Sequence, residues 1–313
     1  MRELTRSNDP VFLSYLRAEL GVEGIEVLVL DSFASSVLEP MNMTALQRVM
    51  VAEDDYWRAW TVVEEAEGRI SEDTVLGGRV HLLQPKVGFR AAADPVLLAA
   101  SVPAEPADQV LDVGTGTGAA AFCLLARAPE AWLSGIDVQP DLIALAERAA
   151  FRNDMESRAR FAVMDVSAPD AAMRTALFDH VMSNPPFLDA RTGQMPKDPA
   201  RARATVESTA DLQTWLRFMA ARLRDAGTLS IIHRADRADE IIALLGDDFG
   251  HVRRLDLISM DDGRPVKRCI VQATRGAAPG LLSKSAMVLH NADGSFTDQA
   301  QAVLRDGQAL TIS

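Results

Sequence analysis

Cysteine is scarce in this chain: two among 313 residues, Cys123 and Cys269, far apart and without metal-ligand spacing. They read as small core residues of a reduced, cytoplasmic protein and offer nothing for a metal to bind. No apolar run reaches the ~18–20 residues that a bilayer span requires. Met1-Arg2-Glu3-Leu4 lacks the basic-then-apolar layout of a signal peptide. These absences set the expectation of a soluble protein that meets no membrane. An excess of positive charge is missing too. The net charge of -12 argues against a generic nucleic-acid binder, whose footprint is basic. Internal repeats and low-complexity segments are also absent. What remains is ordinary for a globular protein, with 48% hydrophobic and 24% charged residues. The length suggests about two domains.

The acidity is concentrated at one end. Residues 1–68 hold 13 Asp and Glu against 5 Lys and Arg, a net of -8, which leaves -4 for the remainder. The same 68 residues form a plausible unit. A short strand over 2–6 precedes Asn8-Asp9-Pro10, a helix start with Asp9 as cap and Pro10 in the first turn. Val11, Phe12, Tyr15, Leu16 and Leu20 recur at helical spacing. Strands are expected over 25–30 and 46–52. Glu53-Asp54-Asp55 is expected in the first turn of a last helix bearing Tyr56, Trp57, Trp60 and Val63. The order β-α-β-β-α resembles a small bacterial domain described as signal-transducing and likened to the PII (ferredoxin-like) fold. The resemblance implies partner binding or regulation; a packing appendage is the other reading.

Glu67 to Asp73 reads as a linker, and a second domain over 74–313 follows. Its strands and helices alternate: strands over 109–113, 132–137, 160–164, 178–182 and 228–233, helices over 118–128, 141–152, 211–224 and 237–245. Two last strands, 251–258 and 267–274, lack a helix between them and suggest an antiparallel pair at one edge. Alternation of this kind implies an α/β fold with a doubly wound, mostly parallel sheet.

Such sheets bind ligands outside the carboxyl ends of their strands. Val110-Leu111-Asp112-Val113-Gly114-Thr115-Gly116-Thr117-Gly118 reads as a buried strand turning through glycines into a helix. Gly114, Gly116 and Gly118 allow a tight turn and close approach of a ligand to the backbone. Gly114-x-Gly116-x-x-Ala119 also satisfies the dinucleotide pattern, so a nicotinamide or flavin reading stands beside the one that follows. Asp112 precedes the loop, Asp137 ends the next strand and Asp165 the third. An acid at Asp112 suits a sulfonium and ammonium and repels a pyrophosphate. Asp137 suits two ribose hydroxyls, and Asp165 an adenine amine. Three acids at three strand ends favour S-adenosyl-L-methionine, although an Asp at such a place is often a turn residue only.

Asn184-Pro185-Pro186-Phe187 follows the strand of residues 178–182. Two prolines end the sheet and stiffen the backbone. The amine of adenine or glutamine is a poor nucleophile because its lone pair is delocalised. Acceptance of its two protons by the Asn184 side chain and the Pro185 carbonyl would turn that lone pair toward a methyl donor. Phe187 offers a face for a planar group. Neither metal nor strong base is needed; positioning and electrostatics suffice.

The stretch from Thr74 to Gly307 resembles the bacterial tRNA1(Val) (adenine-N6)-methyltransferases. The carrying segments are Asp73-Thr74-Val75-Leu76-Gly77-Gly78-Arg79, Leu82-Leu83-Gln84-Pro85 and Gly88-Phe89-Arg90-Ala91-Ala92-Ala93-Asp94-Pro95-Val96-Leu97-Leu98, with the glycine loop and the Asn-Pro-Pro-Phe motif. The resemblance implies a class I, Rossmann-like fold with seven strands and methylation of N6 of an adenine in a tRNA anticodon loop. It also implies cofactor contacts from Arg90 and Asp94, though Asp94 also fits a helix cap. Arg191, Lys197, Arg201 and Arg203 would then form a basic lid for phosphates, or only a solvated loop. His233 and Arg234 end a later strand and would face the cleft or be structural. The acidic amino-terminal domain departs from that family and would narrow RNA choice or dock a protein partner. Protein-glutamine N5-methylation and a regulatory protein without turnover are the competing readings.

Overall fold

Asp9 caps the first helix as its sequence demands: its side chain accepts from the backbone N–H of Val11 and Phe12, and Pro10 occupies the first turn. The computed structural model describes residues 1–30, 46–87, 93–186, 188–189, 206–207, 211–280 and 282–313. The chain forms two compact units, Met1–Ser71 and Glu72–Ser313.

In the first unit, β1 (Arg2–Ser7), α1 (Pro10–Val22), β2 (Leu28–Leu30), β3 (Gln47–Val51) and α2 (Tyr56–Ala66) follow one another. The antiparallel sheet has the order β1-β3-β2. Leu16, Leu20, Ile25, Val51, Ala59, Val62 and Val63 form its core. The expected β-α-β-β-α order is present. Two details differ. Glu53, Asp54 and Asp55 lie in a turn before α2 rather than in its first turn, and Asp55 makes no side-chain cap. The linker expected over 67–73 shrinks to three residues, because β4 (Ile70–Val75) already begins there and pairs with β5 (Val80–Pro85).

The second unit continues with α3 (Ala93–Ser101), β6 (Gln109–Val113), α4 (Ala119–Arg127), β7 (Trp132–Asp137), α5 (Pro140–Arg152), β8 (Ala159–Val163), α6 (Ala171–Thr175) and β9 (Phe178–Ser183). After a short pair, β10 (Leu188–Asp189) with β11 (Val206–Glu207), come α7 (Leu212–Ala221), β12 (Leu223–Arg234), α8 (Ala238–Leu245), β13 (Phe249–Met260), β14 (Arg268–Arg275), β15 (Ser283–His290) and α9 (Asp298–Leu304). The main sheet has the order β15-β13-β14-β12-β9-β6-β7-β8.

Every pairing in that sheet is parallel except those of β14, which runs against both β12 and β13. The expected mostly parallel, doubly wound sheet is therefore present, with two changes at its edge. The antiparallel member is one inserted strand rather than a terminal pair. An eighth strand, β15, joins the seven expected and pairs with β13. It was not read from the sequence because its first half, Ser283-Lys284-Ser285-Ala286, is small or polar. One face of the sheet packs on α7 and α8 through a core that includes Val113, Val181, Leu216, Met219, Ile231, Ile241 and Val271. Burial of each such aliphatic side chain contributes roughly 1.5–3 kcal/mol.

Candidate cofactor and amine site

The register places the two motifs side by side. Val113 of β6 lies directly opposite Ser183 of β9, and opposite Ile136 of β7 on its other side. The residues that follow, Gly114 and Asn184, therefore leave adjacent parallel strands about 4.8 Å apart. Ser183 ties these ends together. Its hydroxyl donates to the Val113 carbonyl (2.7 Å) and accepts from the Trp215 indole N–H (2.8 Å). Trp215, on α7, closes over the loop, so that a Cβ added at Gly114 would stand 2.9 Å from its ring. Neither Ser183 nor Trp215 was singled out in the sequence. Trp215 sits in a helix legible only as amphipathic, and a serine at a strand end carries no pattern.

Gly114, Gly116 and Gly118 all take positive φ, at 72°, 56° and 83°. The loop's amides are largely spent inside the protein. Gly114 and Thr115 both donate to the Ile136 carbonyl, at 2.8 and 2.9 Å. Gly118 donates to the Thr115 carbonyl and Gly116 to Asp137 Oδ2, both at 2.9 Å. A pyrophosphate needs such N–H groups free. This geometry counts against the dinucleotide reading.

Asp112 is buried and accepts only from the Thr115 hydroxyl, at 2.7 Å, among its described contacts. Burial pushes its carboxyl up to about 7; the Thr115 hydroxyl opposes the rise and the Asp137 charge adds to it. Asp137 is also raised, chiefly by burial, against the pull of the Gln139 and Gly116 amides. Among the described residues neither carboxylate has a cationic partner in reach. Two adjoining acids without counterions fit a ligand that brings its own positive charge and hydroxyls. The site thus suits the sulfonium, ammonium and ribose of S-adenosyl-L-methionine.

Asn184 is half-buried, Pro185 is buried, and the Asn184 side chain has no hydrogen-bond partner among the described residues. The geometry leaves its amide oxygen free to accept an amine. Asp165 and Asp137 each close a turn with the residue two positions on, Asp137 through Oδ1 to the Gln139 amide at 2.9 Å. Asp165 lies past the end of β8, and its Oδ1 accepts the Ser167 amide (2.8 Å) and hydroxyl (2.7 Å), closing a local turn. Asp94 sits in the first turn of α3 and is not its cap; Arg268 donates to it at 3.0 Å. That pairing ties the start of α3 to the start of β14. His233 is buried at the end of β12, and burial aided by Arg237 holds it down to about 4, so it is neutral. Arg234 is engaged with Asp236. Arg90, Phe187, Arg191, Lys197, Arg201 and Arg203 lie outside the described residues. Among the described residues no group of three or more His, Cys, Asp or Glu is arranged to hold a metal, and no helix is long and apolar enough to cross a membrane.

Residues 93–256 match the family model described as methyltransferase small domain, and residues 1–67 match a domain of unknown function described as a prokaryotic signal transducing protein. The tRNA1(Val) (adenine(37)-N6)-methyltransferase of Aeromonas hydrophila is 27% identical over 222 residues, covering 70% of this chain and 90% of that protein. The release factor glutamine methyltransferase of Chlorobaculum tepidum is 30% identical over 175 residues, 53% of this chain and 60% of its own. Among solved structures, one described as a predicted O-methyltransferase from Agrobacterium tumefaciens superposes with a TM-score of 0.57 at 23% identity. It covers 70% of this chain and 98% of that one. That likeness concerns the fold.

Proposed function

The chain belongs to the methyltransferase small-domain family, and from that premise we propose that it is an S-adenosyl-L-methionine-dependent enzyme methylating N6 of an adenine in a tRNA anticodon loop. The observation that carries this reading is the adjacency of Gly114 and Asn184 on neighbouring strands, with two uncompensated carboxylates on one side and a free amide side chain on the other.

Asp112 and Asp137 would hold the cofactor, with Gly114, Gly116 and Gly118 giving its backbone room. Bound there, the cofactor supplies an electrophilic methyl group on a positively charged sulfur. The Asn184 side-chain oxygen and the Pro185 carbonyl accept hydrogen bonds from the two N–H groups of the substrate NH2, one of whose protons is lost to solvent on methylation. Those hydrogen bonds draw the amine nitrogen toward a tetrahedral shape and aim its lone pair across the gap between the strand ends. Phe187, following the motif, is assigned the face of the base. A base in a loop is displaced at lower cost than a paired one.

The amide of glutamine poses the same electronic problem, and the Chlorobaculum relative acts on a release factor by name. The coverage of the Aeromonas relative, 70% of this chain and 90% of its own length, supports the RNA reading over that one. The acidity of residues 1–68 suits a protein partner rather than the RNA, and the whole reading places the protein in the cytoplasm.

The test offers labelled cofactor with total tRNA and, in parallel, a protein fraction. Label in tRNA that digests to N6-methyladenosine is expected; label in protein alone would overturn the RNA reading in favour of glutamine. Asn184→Ala is expected to lose at least roughly 10²–10³-fold in kcat, the scale of one lost transition-state contact. Its cofactor affinity by calorimetry should stay near that of the parent. Equal loss of both would make Asn184 structural.

A further inference from the structure

A cavity of about 340 Å³ opens on the same edge of the sheet as Asn184, beyond β12. The register fixes its place. Ile231 of β12 lies opposite Ser183, Arg234 at the carboxyl end of β12 lies opposite Arg268, and Arg268 lies opposite Leu257 of β13. From β9 to β14 and β13 is two to three strand spacings, about 10–14 Å. The next nucleotides of a splayed loop cover such a distance.

The lining is of two kinds. Leu97, Leu257 and Val266 supply apolar surface, and Arg264, Lys267 and Arg268 supply charge. Two acids share the cavity, but each is answered: Asp94 by Arg268 at 3.0 Å and Asp262 by Arg264. Lys267 is exposed and has no acidic partner among the described residues. The balance is therefore positive, with one uncommitted ammonium above an apolar floor. The volume lies within the range of small-ligand pockets. An inorganic anion would leave the apolar floor idle, and an apolar ligand would leave the ammonium idle. A nucleotide uses both.

We propose that this cavity takes a nucleotide neighbouring the methylated adenine, its base against Leu97, Leu257 and Val266 and its phosphate at Lys267. The assignment rests on the RNA reading above and adds to it a second point of attachment for the same strand. Arg268 and Asp94 then act as a fixed pair that shapes the wall nearest α3.

The experiment uses the full chain, labelled cofactor and tRNA, with two variants. Lys267→Gln removes the free charge from an exposed position. Ser259→Trp places a large ring in the cavity from its exposed rim. Lys267→Gln is expected to raise the KM for tRNA roughly tenfold with kcat nearly unchanged, and to flatten the slope of log KM against log salt by about one. Ser259→Trp is expected to raise the KM with the salt slope unaltered. Cofactor affinity should be that of the parent in both. If the parent methylates tRNA and both variants keep its KM and its salt slope, the cavity holds no nucleotide and the proposal fails while the function stands. If the parent puts no label into RNA, the RNA reading fails first and the nucleotide assignment goes with it.

Discussion

At the scale of the residue, Asp112 is the most informative group. Its carboxyl is raised from 3.8 to about 7 by burial, so the ligand-free fold retains a proton there that the unfolded chain has lost. Stability from this group is present below about pH 4 and declines as pH rises toward 7. The decline is on the order of a few kcal/mol. Asp112→Asn is expected to remove that part of the pH dependence and to unfold at higher denaturant than the parent at pH 8, measured without cofactor. A cation bound beside Asp112 prefers the carboxylate, so calorimetric cofactor affinity should strengthen from pH 6 to 8 in the parent and stay flat in the variant. Equal pH slopes in the two proteins would count against the assignment. Asp112 and Asp137 stand out in the sequence as acids at or near the carboxyl ends of strands. Asp165 was legible as an acid after a strand, but its geometry was not. Its Oδ1 closes a turn with Ser167, as Asp137 Oδ1 does with Gln139.

At the scale of the element, the glycine loop separates two kinds of constraint. Gly116 has φ 56° and open space where a Cβ would be, so Gly116→Ala meets the left-handed backbone penalty alone, about 1–2 kcal/mol. Gly114 has φ 72° and in addition the Trp215 ring at 2.9 Å. Gly114→Ala should therefore cost more, and should loosen the link from Trp215 through Ser183 to Val113. Denaturant unfolding checks the order of the two, and a Gly116→Ala loss equal to or above that of Gly114→Ala would contradict it. The strands that hold the site were readable almost to the residue over 109–113 and 132–137. There, short strands rich in apolar residues stop at a glycine loop or an aspartate. What escaped was the clamp across them. Trp215 lies 31 positions after Asn184 and on another element, and only the fold brings it back.

At the scale of the whole molecule, the two units have separate cores. A chain beginning at Gly68, which keeps all of β4, is expected to fold and bind cofactor with the affinity of the full protein, measured by calorimetry. Failure to fold would place the boundary elsewhere. The order of elements in the larger unit was visible from alternation, but the edge of its sheet was not. Strand order there depends on which partner covers which edge, and the apolar run Ala286 to Leu289 is too short to announce its place.

The insertion of β14 between β12 and β13 has a consequence in time. Synthesis delivers β13 before β14, so a gap one strand wide stands open until residues 268–275 emerge. Until then β12 and β13 each present an unpaired edge, with the apolar positions of Ile231 and Leu255 beside it. Exposed edges of this kind invite pairing with other chains. A nascent chain of this protein that stalls before Arg268 is therefore sticky in a way the finished molecule is not, and the last central strand to be made acts as the key that closes the sheet.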